Sequence, residues 1–166
     1  MDIDQKIKDM AEHLYPEMVK RCRALPRPPE AGWPEFRTAS MVIQELESLG
    51  YEVHFGREVI DGSQQMGFPA KDVMDACMER AVEEGADRKL VAAMAGGRTG
   101  VVGILRTGRP GKTVALRFDM DCNEVEEAKD EKHRPYREGF FSLHPGCMHA
   151  CGHDGHTTAG PAGGPD

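Results

Sequence analysis

Apolar side chains at Ile3, Ile7, Met10, Leu14 and Met18 recur every three or four positions, so residues 3–24 read as an amphipathic helix. Pro16 lies inside that pattern and is expected to kink the helix or to start a second piece. The proline-rich stretch from Pro26 to Pro34 reads as a loop. Helix resumes near Glu35, with Val42, Leu46 and Leu49 on one face and Gly50 as its stop. The alternation through Tyr51-Glu52-Val53-His54-Phe55 predicts a short strand. Two further helices are expected near 70–84 and 87–95, punctuated by Pro69, Gly85 and Gly96-Gly97.

Thr99 to Arg106 and Lys112 to Phe118 are rich in Val, Ile and Leu and read as strands. The turn Gly108-Arg109-Pro110-Gly111 between them predicts an antiparallel hairpin. From Asn123 to Cys147 the chain is polar and irregular, a long loop of the kind that is usually functional. Thr157 to Asp166 holds three Gly, two Pro and almost no core-forming side chains, so neither helix nor strand is expected there.

The length of 166 residues suffices for one domain with a core. A net charge of -7 excludes a basic nucleic-acid-binding face. No apolar run reaches membrane-span length and the polar N-terminus has no signal-peptide core, so a cytoplasmic location is the expectation. Five Cys without a small-scaffold pattern point to free thiols or metal ligands rather than disulfides. Gly108 to Thr113 only superficially resembles a phosphate loop: Arg106 stands where the first glycine is required, and a strand follows. Cys22 and Cys77 fall on helical patterns and read as small buried side chains. Trp33 reads as the anchor of its loop.

The chemistry gathers in Met148-His149-Ala150-Cys151-Gly152-His153-Asp154-Gly155-His156-Thr157, where three His, one Cys and one Asp fall within eight positions. Gly152 and Gly155 argue against a regular helix, and in an extended chain Cys151 and His153 share a side and can reach one ion or two adjacent ions. Thiolate with imidazole suits zinc; manganese fits if carboxylates complete the shell. The competing readings are a solvated His-rich tail that binds metal adventitiously and a cramped zinc-finger pairing of Cys147 with Cys151. Upstream, Leu116-Arg117-Phe118-Asp119-Met120-Asp121 ends the second expected strand with two carboxylates, able either to serve a metal site or simply to terminate the strand.

"ALRFDMD" followed about thirty residues later by "MHACGHDGHT" resembles the metal-dependent aminoacylase/carboxypeptidase family of amidohydrolases. "EAGWPEFRTA", "LGYEVHFGREV", "MGFP", "TGRPG" and "HRPYREGF" are most similar to its subgroup of p-aminobenzoyl-glutamate hydrolase A subunits. The resemblance implies an α/β fold: part of a three-layer, mixed-sheet catalytic domain of a dinuclear metallohydrolase. Residues 1–158 would be the N-terminal part of that domain, and 159–166 a disordered tail foreign to the family. It implies metal ligation by Cys151 and His153, and a catalytic role for Asp121 in orienting a ligand, and it carries no metal role onto Asp119. The implied cofactor is a pair of divalent ions, Mn or Zn, with at most a half-site in this chain. The implied activity is hydrolysis of N-acyl or N-aroyl amino acids, folate-derived p-aminobenzoyl-glutamate foremost, with a Glu of a downstream Glu-Glu pair as general base.

That Glu and the remaining ligands fall outside the 166 residues, as does the smaller domain through which homo- or hetero-oligomers form. The chain is therefore expected to be a truncated piece, inactive alone, with exposed sheet edges. The alternative is a non-catalytic metal- or partner-binding fragment, or a pseudogene product. Nucleic-acid and membrane partners are not expected.

Overall fold

The computed structural model describes residues 2–162. Helix α1 runs Ile3–Ala24 and passes through Pro16 without a break in its assignment, so the expected division is not seen. None of its residues is buried. Its C-terminal turn holds it: Arg21 Nη1 lies 2.7 Å from Glu45 Oε1, Arg23 Nη2 2.8 Å from Glu138 Oε2, and the Cys22 thiol 3.7 Å from Asp154 Oδ2. Cys22 is thus a half-buried donor to a carboxylate rather than a buried apolar filler.

Helix α2, Phe36–Ser48, is the centre of the core. Phe36, Ala39 and Ile43 lie three or four positions apart and are fully buried. They pack with Met74 and Ala81 of α3 (Lys71–Glu83) and with Val91 of α4 (Arg88–Ala93), alongside Met94. Fully burying side chains of this size stabilises a fold by roughly 1.5–3 kcal/mol each. Gly50, at φ 80°, supplies the left-handed residue that ends α2, as its sequence position predicts. Asp87 caps α4, its carboxylate accepting from the backbone N–H groups of Lys89 and Leu90.

Strand β1, Glu52–Phe55, pairs antiparallel with β2, Val101–Ile104, in the register Glu52↔Ile104 to Phe55↔Val101. This two-stranded sheet replaces the predicted hairpin: β2 takes β1 as its partner, and 112–118 forms no strand among the described residues. Among the described residues Phe118 of that apolar alternation finds a close neighbour at Gly160, whereas Val114 and Leu116 remain 78% and 76% exposed. The expected three-layer mixed sheet is likewise not what the described residues form; they build helices around a small antiparallel sheet. Among the described residues no helix is long and apolar enough to cross a membrane.

The long loop after Asn123 carries one short helix, α5, Arg134–Arg137. Buried Glu127 organises it, one oxygen 2.7 Å from His133 Nε2 and the other accepting from the Ser142 N–H. His144 ties the loop back to the body: Nδ1 lies 2.7 Å from the Pro29 carbonyl, and Nε2 faces Glu84. Helix α6, His153–Ala162, follows and packs on α1 and α2. Helix over 157–162 contradicts the expectation of no regular structure there. Buried Thr157 and Thr158 and the close approach of Gly160 to Phe118 seat it, a Cβ at 160 standing 3.1 Å from the ring. The tail expected over 159–166 is therefore helical through Ala162, and its last four residues lie outside the described ones.

Trp33 is the one described non-glycine residue with a left-handed backbone, φ 77°. Its indole N–H donates to the Met66 carbonyl at 2.9 Å and its ring packs beside Phe68, which makes it the loop anchor its sequence context suggests.

Glu30 precedes α2 and is 2% exposed. Its carboxyl accepts from the Arg37 N–H, the Thr38 N–H and the Thr38 hydroxyl, satisfying donors that the first turn of α2 leaves unpaired. Burial outweighs those bonds and pushes its pKa up to about 7 from 4.5. The folded protein therefore holds this proton more tightly than the unfolded chain, and stability falls as pH rises from 4.5 to 7. The shift corresponds to about 3 kcal/mol for the one group. Urea midpoints measured across that range should decline for the natural chain and decline much less for Glu30→Gln. Glu30→Ala, which removes the acceptors, should likewise flatten the pH dependence, with its loss of stability against the natural chain greatest at the acid end of the range.

Candidate metal centre

Two short segments meet at the start of α6. One is 117–123, which runs from Arg117 to the backbone bridge at Asn123; the other is 147–157, which leads into and opens the helix. Three backbone contacts fix the first segment. The Cys122 N–H donates to the Glu30 carbonyl at 2.7 Å, Ala31 and Cys122 form an isolated parallel bridge, and Asn123 and Met148 exchange N–H···O bonds of 2.9 and 3.0 Å. The Asn123 side chain then accepts from the Cys151 N–H at 3.1 Å, and Thr157 Oγ1 donates to the Asp119 carbonyl at 3.1 Å.

The helix starting at His153 overturns the extended reading of this motif. Gly152, at φ 82°, makes the turn into α6, and Gly155 lies within the helix. Consequently Cys151 stands just before the first turn, exposed, while His153 and His156 fall three apart on one helical face. Their rings stack with centroids 5.4 Å apart and planes at 19°.

His153 Nδ1 lies 3.0 Å from Asp121 Oδ1 and 3.0 Å from the Asp121 carbonyl. Both neighbours are acceptors, so Nδ1 carries the hydrogen, and in the neutral ring Nε2 is left with its lone pair free for a ligand bond. His156 Nδ1 is 3.6 Å from Asp119 Oδ2. One ligand atom each from Asp119, His153 and His156 all lie within 4.8 Å of one another. Two imidazoles with a carboxylate form a donor set suited to zinc or another divalent cation, so the residues present fit such an ion. Cys151 is not part of this convergence among the described residues. The structure thus places the three residues singled out in the sequence differently: Asp121 and His153 touch, whereas Cys151 reaches the site region through its backbone.

Asp119 and His156 complete the cluster. His156 is visible in the motif, and its partnership with His153 follows once 153–156 is a helix rather than a strand. Glu35 lies within "EAGWPEFRTA", a segment that carries the resemblance but marks no ligand or catalytic role. It sits at the N-terminal end of α2, with the Thr99 hydroxyl donating to its Oε2. Burial raises its pKa, and the nearby Asp121 charge adds to the rise. His149 is part-buried with Nδ1 unpartnered, and burial lowers its pKa.

No family model matches the chain. Over 154 residues it is 46% identical to the indole-3-acetyl-aspartic acid hydrolase of Enterobacter agglomerans, covering 93% of this chain and 35% of that protein. Over 156 residues it is 45% identical to the A subunit of p-aminobenzoyl-glutamate hydrolase from Escherichia coli K12, covering 94% of this chain and 36% of that one. The crystal structure of an aminobenzoyl-glutamate utilization protein from Klebsiella pneumoniae is similar at a TM-score of 0.62 and 40% identity, over 73% of this chain and 30% of that chain. The chain spans about a third of the length of the curated relatives it matches. The relatives are hydrolases, and nearly all of this chain's residues align at this identity with about a third of the length of amidohydrolases that include the p-aminobenzoyl-glutamate hydrolase A subunits.

Proposed function

We propose that the chain supplies one wall of the metal centre of an amide hydrolase acting on N-aroyl or N-acyl amino acids, p-aminobenzoyl-glutamate foremost. The observation that carries this reading is the convergence of His153, held at Nδ1 by Asp121, with Asp119 and His156. His153 and Cys151 are the ligands suggested by family resemblance; Asp119 and His156 are the ligands favoured by convergence. Asp121 positions His153 rather than touching substrate. A divalent ion held there, Mn or Zn, supplies Lewis-acid polarisation of the amide carbonyl and an acidified water.

The names of two relatives, indole-3-acetyl-aspartic acid hydrolase and p-aminobenzoyl-glutamate hydrolase, share an aryl-containing acyl group on an acidic amino acid, and that is the substrate class inferred for this chain. The three-layer, mixed-sheet dinuclear domain of the family is the setting proposed for these residues, and release of p-aminobenzoate from folate-derived material in the cytoplasm is the proposed role. The general base is assigned to a Glu that the 166 residues do not supply, so this chain alone is proposed to bind metal without turning over substrate. The exposed apolar edge at Val114 and Leu116 favours a second reading, that it acts with a partner polypeptide.

Calorimetric titration with Zn²⁺ or Mn²⁺ should give one saturable site. His153→Ala should lose it, and Asp121→Ala should weaken it about 10- to 100-fold, as for residues that orient a ligand. His156→Ala should weaken it more than Cys151→Ala; the reverse order would favour the ligand pair suggested by resemblance over the convergent cluster.

Release of p-aminobenzoate from p-aminobenzoyl-glutamate, followed by chromatography, should be undetectable for this chain with metal. It should appear when the chain is mixed with a polypeptide carrying the remaining two-thirds of the Escherichia coli relative, and disappear again with His153→Ala. Steady metal-dependent turnover by the chain alone would overturn the proposed division of labour.

A further inference from the structure

Outside the Asp/His cluster, the bridge that holds the site together carries a pair of thiols. Asn123 and Met148 form a reciprocal backbone bridge. Cys122 and Cys147 each stand one residue before a bridge partner. Successive side chains alternate faces, so the two thiols leave the bridge on the same side as diagonal neighbours. Cys122 is pushed above the ordinary thiol range by burial first and by the neighbouring Cys147 thiol second. Cys122 is 5% exposed, whereas Cys147 is partly open to solvent. Neither thiol belongs to the Asp119/His153/His156 convergence.

We propose that Cys122 and Cys147 are a reversible dithiol/disulfide site, oxidised by hydrogen peroxide, whose closure covalently staples the segment bearing Asp121 to the segment leading into Cys151 and His153. Cys147, the accessible sulfur, attacks the peroxide: an S–O bond forms, the O–O bond breaks, and one water leaves. The Cys122 sulfur then attacks the Cys147 sulfenic acid. The S–S bond forms, the S–O bond breaks, and the departing hydroxide takes the Cys122 proton as a second water. Two thiols are oxidised and one peroxide is reduced to two waters. Burial makes Cys122 a slow first reactant and a shielded resolving partner, which assigns the order of the two steps. The backbone bridge already holds the flanking chain in place, so the bond closes on a preformed arrangement rather than ordering a loop.

The full chain, metal-free and dilute, is treated with hydrogen peroxide, quenched with an alkylating reagent, and mapped by proteolysis and mass spectrometry without reduction. The expected product has lost two of its five free thiols. It yields a Cys122–Cys147 cross-linked peptide, which thiol reductant restores to two free cysteines. Under denaturing guanidinium that peptide should lose its dominance. In Cys122→Ser, the sulfenic acid of Cys147 should persist and react with dimedone. Absence of the Cys122–Cys147 peptide from the folded, oxidised chain would overturn the proposal, whether the thiols stay free or pair otherwise, through Cys77 or through exposed Cys151. Neither outcome depends on amidase activity, so the inference stands or falls apart from the proposed function.

Discussion

The candidate site depends on what happens at Glu30. Its carboxyl closes the N-terminal turn of α2, the helix at the centre of the core, while its backbone carbonyl accepts the Cys122 N–H. One residue therefore couples the best-packed part of the molecule to a segment that has no sheet partner of its own. From Cys122 the linkage runs through the Asn123–Met148 bridge and the Asn123 side chain to the Cys151 backbone, and so into the first turn of α6. Burying a carboxyl to achieve this raises its pKa; the protonated form at low pH and the three donors at higher pH are the two ways the fold satisfies it.

This arrangement explains why a site can be well positioned in a chain whose sheet is so small. His153 is not held by a strand of a large sheet but by Asp121 on one side and the α6 backbone on the other. Asp119 is fixed by its carbonyl to Thr157, so the residue converging on the two imidazoles is anchored by the same helix that presents them. Val114 and Leu116, only a few residues earlier, are exposed because no such anchor reaches them.

The helical framework is legible in the sequence, because α2, α3 and α4 carry apolar positions at helical spacing and end at glycines or caps. The buried face of α2, however, is Phe36, Ala39 and Ile43, whereas Val42, Leu46 and Leu49 are only half-buried. The strand at Glu52–Phe55 is legible for the corresponding reason at period two. The pairing of the sheet is not: β-type composition at 112–118 signals a preference for a sheet, but pairing is decided by which edge is available, and β1 occupies that of β2. Helix α6 is hidden because glycines and Pro161 weigh against helix locally, whereas Thr157, Thr158 and the Gly160–Phe118 approach seat it through tertiary packing. The metal motif is legible as a concentration of ligands, and its residue types carry the family. Its geometry depends on that helix, so the His153–His156 face replaces the Cys151–His153 side expected from an extended chain. The Glu30 linkage has no sequence signature, since a lone Glu in a proline-rich loop looks solvated.

The proposed metal centre requires Asp121 to fix the tautomer of His153 so that Nε2 is left for a metal ion. Long-range ¹H–¹⁵N correlation spectra of the histidine rings, recorded before and after one equivalent of Zn²⁺, read this directly. His153 should keep a protonated Nδ1 in both spectra while its Nε2 resonance shifts on metal addition. A metal-bound Nδ1, or a His153 ring untouched by zinc, would rule that arrangement out.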